Sequence, residues 1–81
     1  MSKIDERSFD FALRIIKLCQ YLNKNRSLEN NVVAKQLLRS GTSIGANVEE
    51  AQAGQSRSDF VHKMSIALKE ARETNYWLRL L

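Results

Sequence analysis

Apolar residues between positions 32 and 53 recur at steps of three and four, and this spacing limits the fold more than any other feature of the sequence. Such steps place side chains on one face of an α-helix, whereas a half-buried strand needs strict alternation. The stripe consists of Val33, Leu37, Gly41, Ile44, Val48 and Ala51. The spacing therefore predicts a helix over 32–53 that buries one face against other helices.

Two further helices are predicted, over 8–23 and 58–81. The chain contains no proline, and a polar stretch over 23–31 separates the first helix from the second. Gly54 suits the position just past the second helix, and either Ser56 or Ser58 can cap the third. The apolar stripe of the third helix is Phe60, Met64, Ala67, Ala71, Thr74 and Leu78. The predicted fold class is all-α, an antiparallel up-and-down helical bundle with three helices.

The first helix carries more apolar surface than one helix contact buries. Its apolar arc covers about half of the helical wheel, against the ~100° stripe of an ordinary surface helix. Two adjoining faces make up this arc: Phe9, Ala12, Ile16 and Cys19 on one, and Phe11, Ile15, Leu18 and Leu22 on the other. We therefore expect this helix to touch two neighbours, or one neighbour and another subunit. Because the sequence ends on Leu80 and Leu81, we also expect a further helix or another chain to cover that end.

The length of 81 residues is enough for one small domain. Domains of this size usually gain stability from disulfides, a metal or oligomerisation. Cys19 is the single cysteine, and with His62 it makes no metal-ligand spacing. Oligomerisation or a further segment is then the favoured source of stability. A charged N-terminus without a long apolar run, and no stretch near the ~20 apolar residues of a membrane span, predict a cytoplasmic protein.

The middle of the second helix is rich in small residues, from Ser40 to Asn47. Two glycines in this segment, Gly41 and Gly45, cost about 1 kcal/mol each relative to alanine in a helix interior. Close approach of a neighbouring helix or of a ligand would offset that cost, and close helix packing is the favoured explanation. A phosphate-binding loop is excluded because the preceding strand and loop are missing.

Three polar residues near the end of the second helix allow two interpretations. Asn47 and Glu50 are one turn apart, and Arg57 follows in the loop. In the favoured interpretation these residues are structural: Asn47 bonds to the facing helix, and Glu50 pairs with Arg57 or Arg39. In the alternative they form a polar site between the second and third helices.

Catalytic groups do not converge anywhere in the predicted helices. Glu70 and Glu73 share a face but lack the histidine of a di-metal motif. His62 falls on the polar side of the third helix, and Cys19 falls on the apolar side of the first. We therefore expect no enzyme activity, no cofactor, no metal and no small-molecule substrate.

The net charge of +4 permits contact with nucleic acid or an acidic partner. The candidate contacts are Arg14 and Lys17 on the polar stripe of the first helix, and Lys35 and Arg39 one turn apart on the second. The alternative is that these are ordinary solvated charges, because acidic residues are interleaved with the basic ones.

Three segments of the sequence resemble a bacterial four-helix-bundle family that includes proteins encoded by intervening sequences in 23S rRNA genes. The segments are 43–51, 57–60 and 66–71, and together with their surroundings they extend the resemblance over essentially the whole chain. The family-motif residues present here are Ser43, Ile44, Asn47, Glu50, Arg57, Asp59, Phe60, Ile66, Ala67 and Glu70. The sequence departs from the pattern at Glu49 and Ala51, where the family usually has alanine and glycine.

This resemblance implies an up-down-up-down bundle that often assembles into a homopentamer. Family members usually continue into a fourth helix, which the 81 residues lack. Related accessory proteins of diversity-generating retroelements are basic pentamers that bind a reverse transcriptase and nucleic acid. The resemblance transfers no catalytic residue. It implies a self-assembling protein that binds RNA, DNA or a nucleic-acid enzyme, with a protein-only adaptor as the alternative.

Overall fold

The computed structural model describes residues 3–81, which form three α-helices. Helix α1 spans Lys3–Lys24, α2 spans Leu28–Gln52 and α3 spans Arg57–Arg79. The predicted all-α class is confirmed. Two predicted starts were too late: α1 already includes Lys3 rather than starting near Ser8, and α2 begins at Leu28 rather than Val32.

Serine side chains fix the first residues of α2 and α3. The Ser27 Oγ accepts the backbone N–H of Asn30 at 3.0 Å, which satisfies a free amide at the start of α2. Because the prediction took 23–31 as a polar connection, it missed this cap. In α3 the Ser56 Oγ accepts the backbone N–H of Asp59 at 3.1 Å, so Ser56 is the N-cap.

Helix α2 is the centre of the fold and packs against both of its neighbours. Within residues 3–81 the backbones of α1 and α3 stay apart, and only side chains such as Phe11, Leu18 and Leu78 line the space between them. The apolar stripe predicted for α2 is buried apart from Ile44, which is half-buried. Helix α2 is therefore the neighbour against which α1 packs its backbone within the described chain. The expectation that α1 touches two neighbours, or one neighbour and another subunit, stays a prediction.

The glycines of α2 allow α1 to approach closely, as predicted. A Cβ atom at Gly41 would lie 2.9 Å from Cγ1 and Cγ2 of Ile15, which is too close for any carbon contact. A Cβ atom at Gly45 would lie 3.2 Å from the carbonyl oxygen of Ser8. Ile15 is also nearly inaccessible to solvent. Close helix packing therefore accounts for both glycines.

The contact between α2 and α3 includes a buried pair of hydroxyl groups. The Thr74 hydroxyl lies 2.9 Å from the Oγ of Ser40 and 2.8 Å from the Glu70 carbonyl oxygen. Ser40 and Thr74 are 0% and 1% exposed, so this hydroxyl pair is fully removed from water. Buried polar groups need such partners, since an unpaired one costs ~1–3 kcal/mol.

Candidate interaction surfaces

The four predicted basic contacts do not form one patch. Arg14 and Lys17 are exposed on α1, and Lys35 is exposed on α2. Within residues 3–81 none of these three has an ion-pair partner. Their charges are therefore available to an anionic partner.

Arg39 is held by α3 instead. Its guanidinium forms ion pairs with Glu70, at 3.2 Å, and with Glu73. The Trp77 Nε1–H also donates to the Glu73 carboxylate at 3.0 Å. Two carboxylates offset one cation, so Arg39 contributes less to a basic surface than the other three residues.

Glu50 and Asn47 do not form the pairs that the sequence predicted. Glu50 pairs with Lys63 at 3.2 Å, rather than with Arg39 or Arg57. The Asn47 Nδ2 donates to the Ser43 carbonyl oxygen at 2.8 Å and to the Ser43 Oγ at 3.1 Å, both within α2. An i,i+4 spacing brings these groups together without help from a facing helix. The expected Asn47 bond to the facing helix was therefore wrong.

The remaining family-motif residues cap helices or line surfaces. Asp59 contributes its backbone N–H to the α3 cap, and Arg57 is the first residue of α3. Ile44 borders the space between α1 and α3, whereas Phe60 is 44% exposed. The motif residues thus do not converge on one polar site.

A long apolar groove separates α1 from α3. Its central part is a cavity of about 400 Å³ lined by Ile4, Arg7, Ser8, Phe11, Ile44, Ala71, Thr74, Asn75 and Leu78. Toward one end the lining continues with Val48, Met64 and Leu68, and toward the other with Leu18 and Arg14. Because the backbones of α1 and α3 stay apart, their facing apolar side chains are only partly covered: Phe11, Leu18 and Leu78 are half-buried, and Ile4 and Leu68 are exposed. The sequence indicated the apolar arc of α1 but not this gap.

A second apolar surface lies on the opposite flank of α1. It is a hollow of about 340 Å³ lined by Phe9, Ala12, Leu13, Ile16, Thr42, Gly45, Ala46 and Glu49. Leu38, one turn before Thr42 on α2, is also exposed. We call this surface, with Leu38 included, the α1–α2 face.

Cys19 and His62 are the two side chains whose chemistry could serve catalysis or metal binding. The Cys19 thiol donates to the Ala34 carbonyl oxygen at 3.4 Å across the α1–α2 contact. Burial raises the pKa of the Cys19 thiol, which keeps it in the unreactive protonated form. His62 is exposed, and residues 3–81 contain no group of three potential metal ligands.

No helix in the described part of the chain combines the length and apolarity needed to cross a membrane.

These features define a small helical-bundle protein with two apolar surface hollows and separate exposed cations. The sequence model of the family described as "23S rRNA-intervening sequence protein" matches residues 2–81, and the chain belongs to this family. The crystal structure of a protein of unknown function from the S23 ribosomal protein family of Bacteroides thetaiotaomicron is similar, with a TM-score of 0.83 and 50% sequence identity. The match covers 96% of this chain and 70% of that one. No curated protein matches the chain.

Proposed function

We propose that this chain is a non-enzymatic, self-assembling helical-bundle protein of the cytoplasm, whose oligomer presents basic side chains to RNA. The observation that carries the proposal is the arrangement of surfaces around α1. Apolar side chains cover both flanks of this helix, and exposed cations accompany them, with Arg14 at the border of the groove and Lys17 exposed on the same helix. Apolar surfaces of this kind mark interaction sites on soluble proteins. Cations without acidic partners supply the sequence-independent part of RNA binding.

Self-assembly is tested by static light scattering of the nucleic-acid-free protein over a wide concentration range. We expect a mass well above that of a single chain, and the homopentamer implied by the family resemblance is the specific expectation. A strict monomer at every concentration would contradict the proposal.

RNA binding is tested with a charge variant and a matched control. We expect the triple variant Arg14→Gln, Lys17→Gln and Lys35→Gln to bind RNA about tenfold more weakly or worse at low salt, because three phosphate contacts are removed. Each lost contact should lower the slope of log affinity against log salt by about one. The measurement is a salt titration with a labelled single-stranded RNA.

The control removes the same charge from α3, by glutamine substitution of Lys69, Arg72 and Arg79, all of which are exposed. We expect it to retain most of the RNA affinity. If both triple variants lost the same amount of RNA affinity, binding would depend on net charge alone and not on the positions of these cations. Absence of binding by the wild type at low salt would refute the RNA half of the proposal.

A protein-only adaptor is the second candidate, and the groove between α1 and α3 favours it. An amphipathic helix of a partner protein fits an apolar groove between two helices. In this case a protein partner should stay bound after nuclease treatment. Ala71→Glu, in the groove wall, should release it, whereas the Arg14, Lys17 and Lys35 triple variant should not. Loss of the partner on nuclease treatment would exclude the adaptor.

A further inference from the structure

We infer that Tyr21 on α1 stacks on a base of single-stranded RNA, between cations that contact the phosphates on either side. The inference rests on the RNA binding proposed above, and it adds the form of RNA that is bound and the side chain that selects it. Three features of the second half of α1 support it: the charge of this segment, the exposure of Tyr21 and the helical spacing.

The net charge of the chain is concentrated in the second half of α1 and the residues that follow it. Residues 11–28 include no acidic residue, and their four cations are Arg14, Lys17, Lys24 and Arg26. The other nine basic residues equal the acids in number, so this segment carries the whole net charge of +4. All four cations are exposed, and none has an ion-pair partner within residues 3–81. Cations without acidic partners attract a phosphate backbone irrespective of its sequence.

Tyr21 lies between these cations, and it is the most exposed large apolar side chain of α1, at 62%. Within residues 3–81 its ring has no aromatic partner and no cation above it. Tyr76, by contrast, lies edge-on to Trp77 and beneath the Arg79 guanidinium. The Tyr21 ring is therefore open to a ligand, and unpaired bases stack on aromatic rings of this kind.

The helical period places the ring and three of the cations along one side of α1. The side chains follow at steps of three, four and three residues, in the order Arg14, Lys17, Tyr21 and Lys24. From the first to the last, this side is about 15 Å long at 1.5 Å per residue. A single strand along it brings phosphates to Lys17 and Lys24 and a base to the ring between them. A duplex holds its bases inside the helix, so only a single strand gains the contact with Tyr21.

Two substitutions of Tyr21 separate stacking from charge. Tyr21→Ala removes the ring and Tyr21→Phe keeps it, and neither alters the three neighbouring cations. Tyr76→Ala is the matched control, because Tyr76 is 48% exposed and lies on α3. The readout is the affinity for a labelled single-stranded RNA and for a duplex RNA of the same length, each titrated with salt. Light scattering of each variant measures its assembly in the absence of RNA.

We expect Tyr21→Ala to weaken single-strand binding by at least about fivefold. The slope of log affinity against log salt should not change, because no phosphate contact of a cation is lost. Tyr21→Phe and Tyr76→Ala should bind the single strand as the wild type does. Duplex binding and molecular mass should be the same in all four proteins.

A Tyr21→Ala protein with wild-type affinity for the single strand would overturn the assignment of Tyr21 and leave the proposed RNA binding in place. The same conclusion would follow from an equal loss on duplex RNA, in Tyr21→Phe or in Tyr76→Ala. A changed molecular mass of Tyr21→Ala would place Tyr21 in a protein contact and overturn the assignment as well. A wild type that binds no RNA at low salt would refute the proposed function and this inference together.

Discussion

Helix α2 contacts its two neighbours by different physical means. Toward α1 it presents glycines, so that the backbone approaches Ile15 and Ser8 directly and shape decides the contact. Toward α3 it adds hydroxyl and charged groups, which pair with partners on the facing helix, to the apolar cluster around Leu37 against which Trp77 and Leu78 pack. The first contact has little tolerance for added volume, whereas the second depends on keeping donors and acceptors matched. One helix thus packs against two neighbours through two different kinds of contact.

Adding volume at the α1–α2 contact should have the largest effect. Gly41→Leu forces Ile15 or the α1 backbone to move, so we expect a loss of about 3 kcal/mol in the free energy of unfolding. The measurement is urea denaturation at a fixed protein concentration. An Ile15→Ala background removes the two carbons at 2.9 Å and leaves only the Cβ at 3.3 Å, so Gly41→Leu should cost much less there. An equal loss in both backgrounds would mean that the Ile15 contact does not limit the packing.

Removing a donor at the α2–α3 contact should cost less than that. Thr74→Val keeps the shape but removes the hydroxyl beside Ser40 and the Glu70 carbonyl, so we expect a loss of ~1–2 kcal/mol in the same denaturation assay. Thr74→Ser keeps the hydroxyl and removes one methyl group, with a loss of about 1 kcal/mol. If the valine variant were as stable as the wild type, the hydroxyl pair would be incidental to this contact.

Breaking the ion pairs should have a smaller effect that depends on salt. The Arg39 side chain is 50% exposed, so we expect Arg39→Met to lower the free energy of unfolding by about 1 kcal/mol at low salt, and by less at high salt. Lys63→Met breaks a pair with the largely exposed Glu50 and should cost only a few tenths of a kcal/mol. Thermal unfolding at two salt concentrations measures both losses. Equal losses for the two variants would contradict the partial burial of the Arg39 pair.

The smallest effect concerns Cys19, at the edge of the α1–α2 contact. Burial raises the pKa of its thiol in the folded protein. A maleimide should therefore label the folded protein more slowly than the unfolded one, with the labelling profile displaced to higher pH. The stabilisation linked to this shift is complete below the unfolded pKa and is lost as pH rises through the folded one. Folded and unfolded protein labelling at the same rate would show that the contact is open at this point.

Several features of the candidate surfaces were predictable, and others were not. The apolar arc on both sides of Ile15 predicted that α1 carries more apolar surface than one helix contact buries. The small residues of α2 predicted the close approach of a neighbouring helix. The partner of Arg39 could not be predicted, because Glu70 and Glu73 are distant in sequence and only the packing of α3 on α2 brings them to Arg39. Ser27 was missed as a cap because a serine in a polar stretch suits a loop equally well.

The sequence by itself determined the three helices, the buried stripe of α2 and the close approach at its glycines. These follow from the helical period, which decides which side chains share a face, and from the absence of side-chain volume at Gly41 and Gly45. Only the tertiary structure decided which neighbour each face meets. Because α1 and α3 both pack on α2 with their backbones apart, Ile15 and Leu22 in the middle of the apolar arc are buried. One edge of the arc, with Phe11 and Leu18, faces the groove, and the other edge, with Phe9 and Ile16, lies on the α1–α2 face. Periodicity sets the direction of a side chain, but the positions of neighbouring helices determine whether it is covered.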